Sequence, residues 1–294
     1  MGYRKVQAEQ GYITVSPMPT TEELEKFYAD LYYQQSVSTT YAQEYPDDEL
    51  KYRRLRARLL FHAIRQQRGG ISKGNMLEIG CGEGFVLAAG AEEGYQVTGV
   101  DFSAHGIERF NPEMRKNFLP GNAYDLLQKL AVDGKKFDIC ILKNVLEHVL
   151  DPKELLSRLQ TVLKGGSILA VEVPNDSSVL QERLLQDGRV DREYWFAPPQ
   201  HLHYFNVGTL RTFMTGNDLK VLDVYGDFPI EHFLLHPGAN YIQSPSAGGA
   251  AHQARLTLEL LAAESGIDAY HRYCQALSGC GFGRNVTVLT QIAA

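Results

Sequence analysis

Four groups of residues in this chain have types and spacings that could do chemistry. The first is the run Met76-Leu77-Glu78-Ile79-Gly80-Cys81-Gly82-Glu83-Gly84-Phe85-Val86-Leu87, where an apolar segment ends in three glycines and reopens as an apolar helix. A buried parallel strand turns in this way at a sheet edge, and glycine there lets the main chain take positive φ and approach a ligand with no β-carbon between them. A dinucleotide fingerprint needs G-x-G-x-x-G; here the third glycine comes one residue early and Phe85 stands where helix and strand would have to close, which argues against NAD. The second is Asp101, 17 residues past Gly84. An α/β nucleoside site places an acid at such a position to accept from both ribose hydroxyls, and a helix N-cap before Ser103-Ala104 is the structural alternative. The third is Glu147-His148, a carboxylate and imidazole side by side that could ligate a divalent ion. Asn144 supplies no third acid, so the ligand set is short and no metal is expected; Glu147 is read as structural or pocket-shaping. The fourth is Tyr194-Trp195-Phe196-Ala197-Pro198-Pro199-Gln200-His201-Leu202-His203-Tyr204-Phe205. Alternation puts His201 and His203 on one side of an extended segment and Leu202 and Tyr204 on the other. An imidazole with an unperturbed pKa of about 6.5 suits proton removal, and each histidine is read as general base, substrate contact or packing.

The pattern Glu78-x-Gly80-x-Gly82-x-Gly84 resembles motif I of the class I S-adenosylmethionine (SAM) dependent methyltransferases. Gly121-Asn122-Ala123-Tyr124-Asp125-Leu126 resembles the family's G-D-A-x-x-L segment, with Asn122 in place of the usual Asp. The run from Phe137 to Pro152, with Leu163-Lys164-Gly165-Gly166 and Val171-Glu172-Val173-Pro174-Asn175 after it, is similar to the small-molecule branch, which includes ubiquinone-pathway O-methyltransferases and enzymes of sugar and natural-product modification. The resemblance covers about residues 50 to 225. It implies that Glu78, Gly80, Cys81, Gly82 and Gly84 hold the methionine end of SAM, that Asp101 and Phe102 belong to the cofactor site, and that Asn122 and Ala123 lie by the adenine. An amide at Asn122 can still accept from the adenine amino group and donate to a ring nitrogen. Lys143, Asn144 and Val145 would line the SAM pocket through their backbone. The acceptor would meet Tyr194, Trp195, His201, His203 and Tyr204 beyond the fifth strand, with Tyr32 and Tyr33 on a lid formed by Tyr28 to Tyr41. The implied function is methyl transfer from SAM, leaving S-adenosylhomocysteine, to a small or carrier-linked metabolite, foremost at oxygen, with His201 or His203 assisting an in-line displacement. Nitrogen or carbon methylation, and a SAM-binding regulator without catalysis, stay open.

Composition narrows the partners. The 294 residues are 44% hydrophobic and 22% charged, as in ordinary globular chains, and the net charge of -6 with a pI near 5.9 lacks the basic excess that nucleic-acid binding needs. Cys81, Cys140, Cys274 and Cys280 form no C-x-x-C pair, which is the usage of buried free thiols in a reducing compartment. Met1-Gly2-Tyr3-Arg4-Lys5 opens no apolar signal core and no later stretch is apolar enough to span a bilayer, so a cytoplasmic location is expected. No feature of the sequence sets an oligomeric state.

The elements that must position these groups follow from periodicity. The expected fold class is α/β, a Rossmann-like seven-stranded mostly parallel sheet with helices on both faces, an N-terminal helical segment and a helical insertion before the last strand. Residues 1–70 read as a helical cap, with one helix capped at Thr20 or Thr21 running through Leu24, Phe27, Tyr28 and Leu31 and another from Pro46 to Gln67. Residues 71–228 read as the core, with strands at Met76 to Ile79, Gln96 to Val100, Lys116 to Leu119, Phe137 to Leu142, Ile168 to Val173 and Leu219 to Tyr225. Asp151-Pro152-Lys153-Glu154 reads as the start of a helix that Gly165-Gly166 ends. Asn175 to Pro199 reads as a long functional connection, and Asn206 caps a short helix ending at Gly216. Residues 229–283 read as the insertion, flexible at Ser244 to Gly249 and helical around Leu256 to Leu261 and Ala269 to Leu277. Residues 284–294 read as the final edge strand.

Overall fold

A computed structural model of the chain describes residues 2–24, 26–27, 44–69 and 73–292. In chain order the strands are β1 (Arg4–Gln7), β2 (Ile13–Ser16), β3 (Asn75–Ile79), β4 (Gln96–Asp101), β5 (Phe118–Pro120), β6 (Phe137–Lys143), β7 (Leu163–Pro174), β8 (His203–Tyr204), β9 (Leu219–Gly226) and β10 (Asn285–Ile292). The helices are α1 (Asp47–Gln67), α2 (Phe85–Glu92), α3 (His105–Phe110), α4 (Ala123–Val132), α5 (Pro152–Val162), α6 (Val179–Gln186), α7 (Val207–Thr215), α8 (Gly248–Glu264) and α9 (Ile267–Gly279).

Seven strands form one sheet in the order β5-β4-β3-β6-β7-β10-β9, parallel except for β10, which runs antiparallel to both β7 and β9. Successive side chains alternate across it. Leu77, Ile79, Cys140, Leu142, Leu169 and Val171 pack against α4, α5 and α7 on one face, whereas Met76, Val97, Ile139, Ile141, Ile168 and Ala170 pack against α1, α2 and α9 on the other. Burial on both faces explains why these strands read as nearly continuous apolar runs. It also places the carboxylate of Glu78, between Leu77 and Ile79, on the α1 face of the sheet, 2% exposed.

Local signals fixed several elements. Asp151 accepts from the Glu154 N–H at 3.0 Å with Pro152 in the first turn of α5, and Asn206 forms a reciprocal capping box with Thr209 on α7. Thr20 and Glu23 cap the first N-terminal helix reciprocally, although Tyr28 and Leu31 lie outside the described residues. Elsewhere tertiary pairing overrode the local reading. The N-terminus is not wholly helical: β1 and β2 form a hairpin that β8 extends, with Thr14 opposite His203, because Val15, Leu202 and Tyr204 share a small buried cluster. Lys116 lies in a 3-10 turn, and the third core strand is confined to Phe118–Pro120. Gly165 and Gly166 do not end α5; the chain enters β7 at Leu163, which is buried and pairs with Phe137. Asn175 to Pro199 contains α6, capped by Ser178 and Gln181, with Leu180 and Leu184 buried one turn apart. The segment expected to be flexible at Ser244 to Gly249 is a 3-10 turn leading into α8. β10 is not the edge strand: it is inserted between β7 and β9, leaving β9 at the edge. Two-sided pairing buries the β10 backbone together with Val286, Val288 and Leu289.

Candidate active site

The glycine loop turns at the carboxyl end of β3. Gly80, Gly82 and Gly84 have φ of 72°, 49° and 78°, and a β-carbon on Gly80 would stand 2.4 Å from a methyl of Val145. That contact explains why this turn needs glycine. The Gly80 and Cys81 amides donate to the Val100 carbonyl at 2.7 and 3.2 Å. Asp101 helps to lock the loop: its Oδ2 accepts from the Gly82 N–H at 2.9 Å and its Oδ1 from the Ser103 N–H at 3.2 Å. Burial raises its pKa against the pull of those amides. Asp101 is thus not the N-cap of α3, where Ala104 stands. Phe102 next to it is 69% exposed. Asn122 caps α4, its Oδ1 accepting from the Tyr124 N–H at 2.8 Å.

A cavity of about 420 Å³ opens over this loop. Its floor includes Glu78, Gly80, Cys81, Gly82, Gly84, Lys143 and Asn144; also lining it are Tyr45, just before α1, Arg53 and Arg56 on α1, and Asp227, Arg255 and Asn285. Asn144 has φ 52° and donates its N–H to the Glu172 carbonyl at 2.8 Å, which turns the chain away from β6 at the cavity floor. Glu172 is the electrostatic centre of the floor. Burial opposes its charge, yet Lys143 and Arg56 hold its pKa down to about 2, and the Thr287 hydroxyl donates to it at 3.0 Å. Arg53 bonds Glu83 at 2.5 Å and lies over the rings of Tyr45 and Phe85. The Arg56 Nη1 and the Glu78 Oε2 are buried with no hydrogen-bond partner among the described residues, and both residues line the cavity. The arginines escaped the sequence reading, although charged positions among the apolar face of α1 were a visible signal.

The two histidines do not share a side. His203 is 3% exposed in β8, its Nε2 donates to the Val149 carbonyl at 2.8 Å, and its ring meets Tyr12 edge-on at 5.7 Å. Burial lowers its pKa to about 4. Its ring is packed there rather than facing the cavity over the glycine loop. The chain bends before β8, where the Leu202 and His203 amides both donate to the Glu147 carbonyl, so strict alternation does not extend back to His201. His201 instead faces His148, ring centroids 4.9 Å apart, and its Nδ1 lies 3.9 Å from the Asp176 Oδ2. Burial, with smaller contributions from His148 and Arg284, lowers its pKa to about 3. Burial also pushes Glu147 up to about 8 and Asp176 up to about 7. Glu147, His148 and His201 each offer a ligand-type atom within 4.8 Å of the others, so the third group missing from the local sequence comes from 53 residues along the chain. Among the other residues expected to meet an acceptor, Trp195 is 3% exposed with its indole N–H on the Ser177 hydroxyl, and the Tyr204 hydroxyl donates to the His201 carbonyl at 2.7 Å. Both are buried and hydrogen-bonded within the protein. Tyr194 packs edge-on against Trp195, while Tyr32 and Tyr33 lie outside the described residues.

Residues 49–224, more than half of the chain, match the family model described as a methyltransferase domain. The chain belongs to the methyltransferase family. It is a SAM-dependent enzyme of that family. The chain is 26% identical over 165 residues to a ubiquinone biosynthesis O-methyltransferase of Histophilus somni (strain 2336), covering 50% of this chain and 68% of the relative. It is 29% identical over 167 residues to the enzyme so named from Caulobacter sp. (strain K31), covering 53% and 62%. Among solved structures, a SAM dependent methyltransferase from Archaeoglobus fulgidus superposes with a TM-score of 0.50 at 19% identity, over 91% of this chain and 99% of that one. The plantazolicin methyltransferase BamL, solved with S-adenosylhomocysteine, gives a TM-score of 0.50 at 14% identity, over 94% and 92%. These last two likenesses show the fold. No helix among the described residues is long and apolar enough to cross a membrane.

Proposed function

We propose that the methyltransferase passes a methyl group to a hydroxyl of a small or carrier-linked metabolite held beside His201. SAM would lie with its methionine end over the glycine loop, its α-carboxylate on the unpartnered Arg56 nitrogen and its α-amino group toward Glu78, and its adenosine toward Asp101, Phe102, Asn122 and Ala123. A buried cation and a buried carboxyl, each with an atom lacking a partner among the described residues at one cavity, are complementary to an amino-acid zwitterion. The observation that carries the acceptor assignment is the contrast between the histidines: His203 donates its Nε2 to the Val149 carbonyl inside packed surroundings, with its Nδ1 unpartnered, whereas the His201 ring makes no hydrogen bond among the described residues and faces Asp176. The names of the two curated relatives support oxygen as the methylated atom.

In this reading the bond from sulfonium sulfur to methyl carbon breaks as the bond from acceptor oxygen to that carbon forms. The hydroxyl proton passes to His201, and neutral S-adenosylhomocysteine leaves. Burial lowers the pKa of the imidazole and so leaves it unprotonated and able to accept, with the Asp176 carboxyl 3.9 Å from its Nδ1. His201→Gln should lower kcat by roughly 100-fold or more with SAM affinity little changed. His203→Gln should instead lower stability, while the folded fraction keeps its turnover. Equal turnover in His201→Gln and the unaltered enzyme overturns the assignment. Product analysis with paired hydroxyl and amine acceptors tests oxygen against nitrogen.

A further inference from the structure

Two buried carboxyl groups meet where the chain leaves β7 and where the insertion after β9 begins. Asp176 and Glu231 are each 2% exposed. Asp176 is fixed through its neighbour: the Asn175 amide donates to the Gly281 and Gly283 carbonyls at 3.2 and 3.0 Å, and its Oδ1 accepts from the Val207 N–H at 3.1 Å. Glu231 stands in the 3-10 turn Ile230–Leu235, where its Oε1 accepts from the Gln181 Nε2 at 3.4 Å. One guanidinium serves both acids. The Arg284 Nη1 lies 3.5 Å from the Asp176 Oδ1 and 3.7 Å from the Glu231 Oε1, and no other arginine or lysine among the described residues pairs with either. The remaining oxygens, Asp176 Oδ2 and Glu231 Oε2, are buried with no hydrogen-bond partner among those residues. Two ionised acids would exceed the one guanidinium by a negative charge, and a buried acceptor left open is costly. Burial raises the Asp176 pKa to about 7 against the pull of Arg284, and a second cation beside it would favour the ionised form.

We propose that Asp176 and Glu231 form the recognition site for a protonated amine carried by the methyl acceptor. It rests on the placement of the acceptor beside His201 and adds the acceptor's class, a molecule bearing both a hydroxyl and an ammonium group. An ammonium group only donates, and it brings the positive charge that the two acids lack; a neutral hydroxyl would satisfy the same oxygens and leave the charge uncompensated. The surroundings suit the organic part. Tyr194 and Tyr241 pack with Leu180, Leu184 and Leu234, and both phenols lie within electrostatic reach of Glu231 and Arg284. Tyrosine rings offer apolar contact and a face that attracts a cation. The acids also adjoin the reacting group, since the Asp176 Oδ2 is 3.9 Å from the His201 Nδ1. The His201 and Arg284 side chains are 17% and 29% exposed, and they mark the side from which the acids are reached. Glu231 and Arg284 lie outside residues 49–224, so this selectivity belongs to the part of the chain beyond the shared methyltransferase domain.

The test uses the full chain saturated with S-adenosylhomocysteine and two probes of equal size, tyramine and tyrosol. Both carry a phenol hydroxyl, and they differ only in an ammonium or a hydroxyl at the end of the side chain. Calorimetry should give a dissociation constant roughly 10-fold lower, or better, for tyramine. Asp176→Asn and Glu231→Gln should each reduce that preference to about twofold or less while retaining S-adenosylhomocysteine binding as evidence of folding. Glu264→Gln, at the exposed end of α8, should leave it unchanged. Equal affinity for the two probes in the unaltered chain, or binding of neither, overturns the proposal whatever the variants do. A preference that survives in either variant overturns the two-acid site, and tighter binding of tyrosol overturns the charge class. No turnover enters the measurement. A tyramine preference without methylation of any hydroxyl acceptor would keep the site and remove the His201 reaction, whereas methylation of neutral hydroxyl acceptors with no ammonium preference would do the reverse.

Discussion

Glu172 and Glu147 are both buried carboxylates near the carboxyl end of β6, and their surroundings are opposite. Glu172 lies beside Lys143 across the β6–β7 pair and collects Lys143, Arg56 and the Thr287 hydroxyl, so burial does not prevent it from staying charged. The side-chain oxygens of Glu147 have no hydrogen-bond partner among the described residues, and burial raises its pKa to about 8. In the first network the Glu172 carboxylate is fully partnered, and only the Arg56 Nη1 is left open. The second leaves both side-chain oxygens of Glu147 without a partner among the described residues. Burial alone therefore does not set the state of a carboxyl here; its partners do.

Three measurements break or sharpen this contrast. The largest effect is expected for Glu172→Gln. A carboxylate whose pKa falls from about 4.5 unfolded to about 2 folded stabilises the protein fully above the unfolded value, and that contribution is lost as pH falls through the folded one. The substitution should cost about 3 kcal/mol at pH 7, with the difference from the unaltered chain closing between about pH 4.5 and 2. Denaturant melts across that range check it; a pH-independent difference would show that the ion pairs are not its source. Next, Asp101→Ala should weaken SAM binding by about 1.5 to 3 kcal/mol with the fold intact, because it removes both an acceptor at the expected ribose and the tie to Gly82. Calorimetry with S-adenosylhomocysteine measures this, and an unchanged dissociation constant moves the ribose contact elsewhere. The same titration with NAD should give no heat. The smallest effect is expected for Glu147→Gln, within about 1 kcal/mol of unaltered stability, since no side-chain hydrogen bond is lost. A loss as large as that of Glu172→Gln would place Glu147 in a structural network and erase the distinction.

What the sequence determined by itself is local. Glu78 and three glycines specified a turn that only a backbone at positive φ can make, and Asp101 followed at the end of the next strand. Asp151-Pro152 and Asn206 started their helices because a side-chain oxygen can meet an amide two or three residues on without help from the rest of the fold. The apolar runs of β3, β4, β6 and β7 declared strands buried on both faces. Tertiary structure decided the rest. Insertion of β10 between β7 and β9 depends on pairing across more than 100 residues, for which no local period exists. The short helix α6 buries too few apolar positions to register as periodic before its partners are known. Most consequential for chemistry, the segment around His201 and His203 bends onto the Glu147 carbonyl, sending one histidine into packing and the other to Glu147, His148 and Asp176. Side-chain alternation assumes an unbroken strand, and the hydrogen bonds that interrupt it come from a turn that chain folding, not sequence proximity, brings alongside.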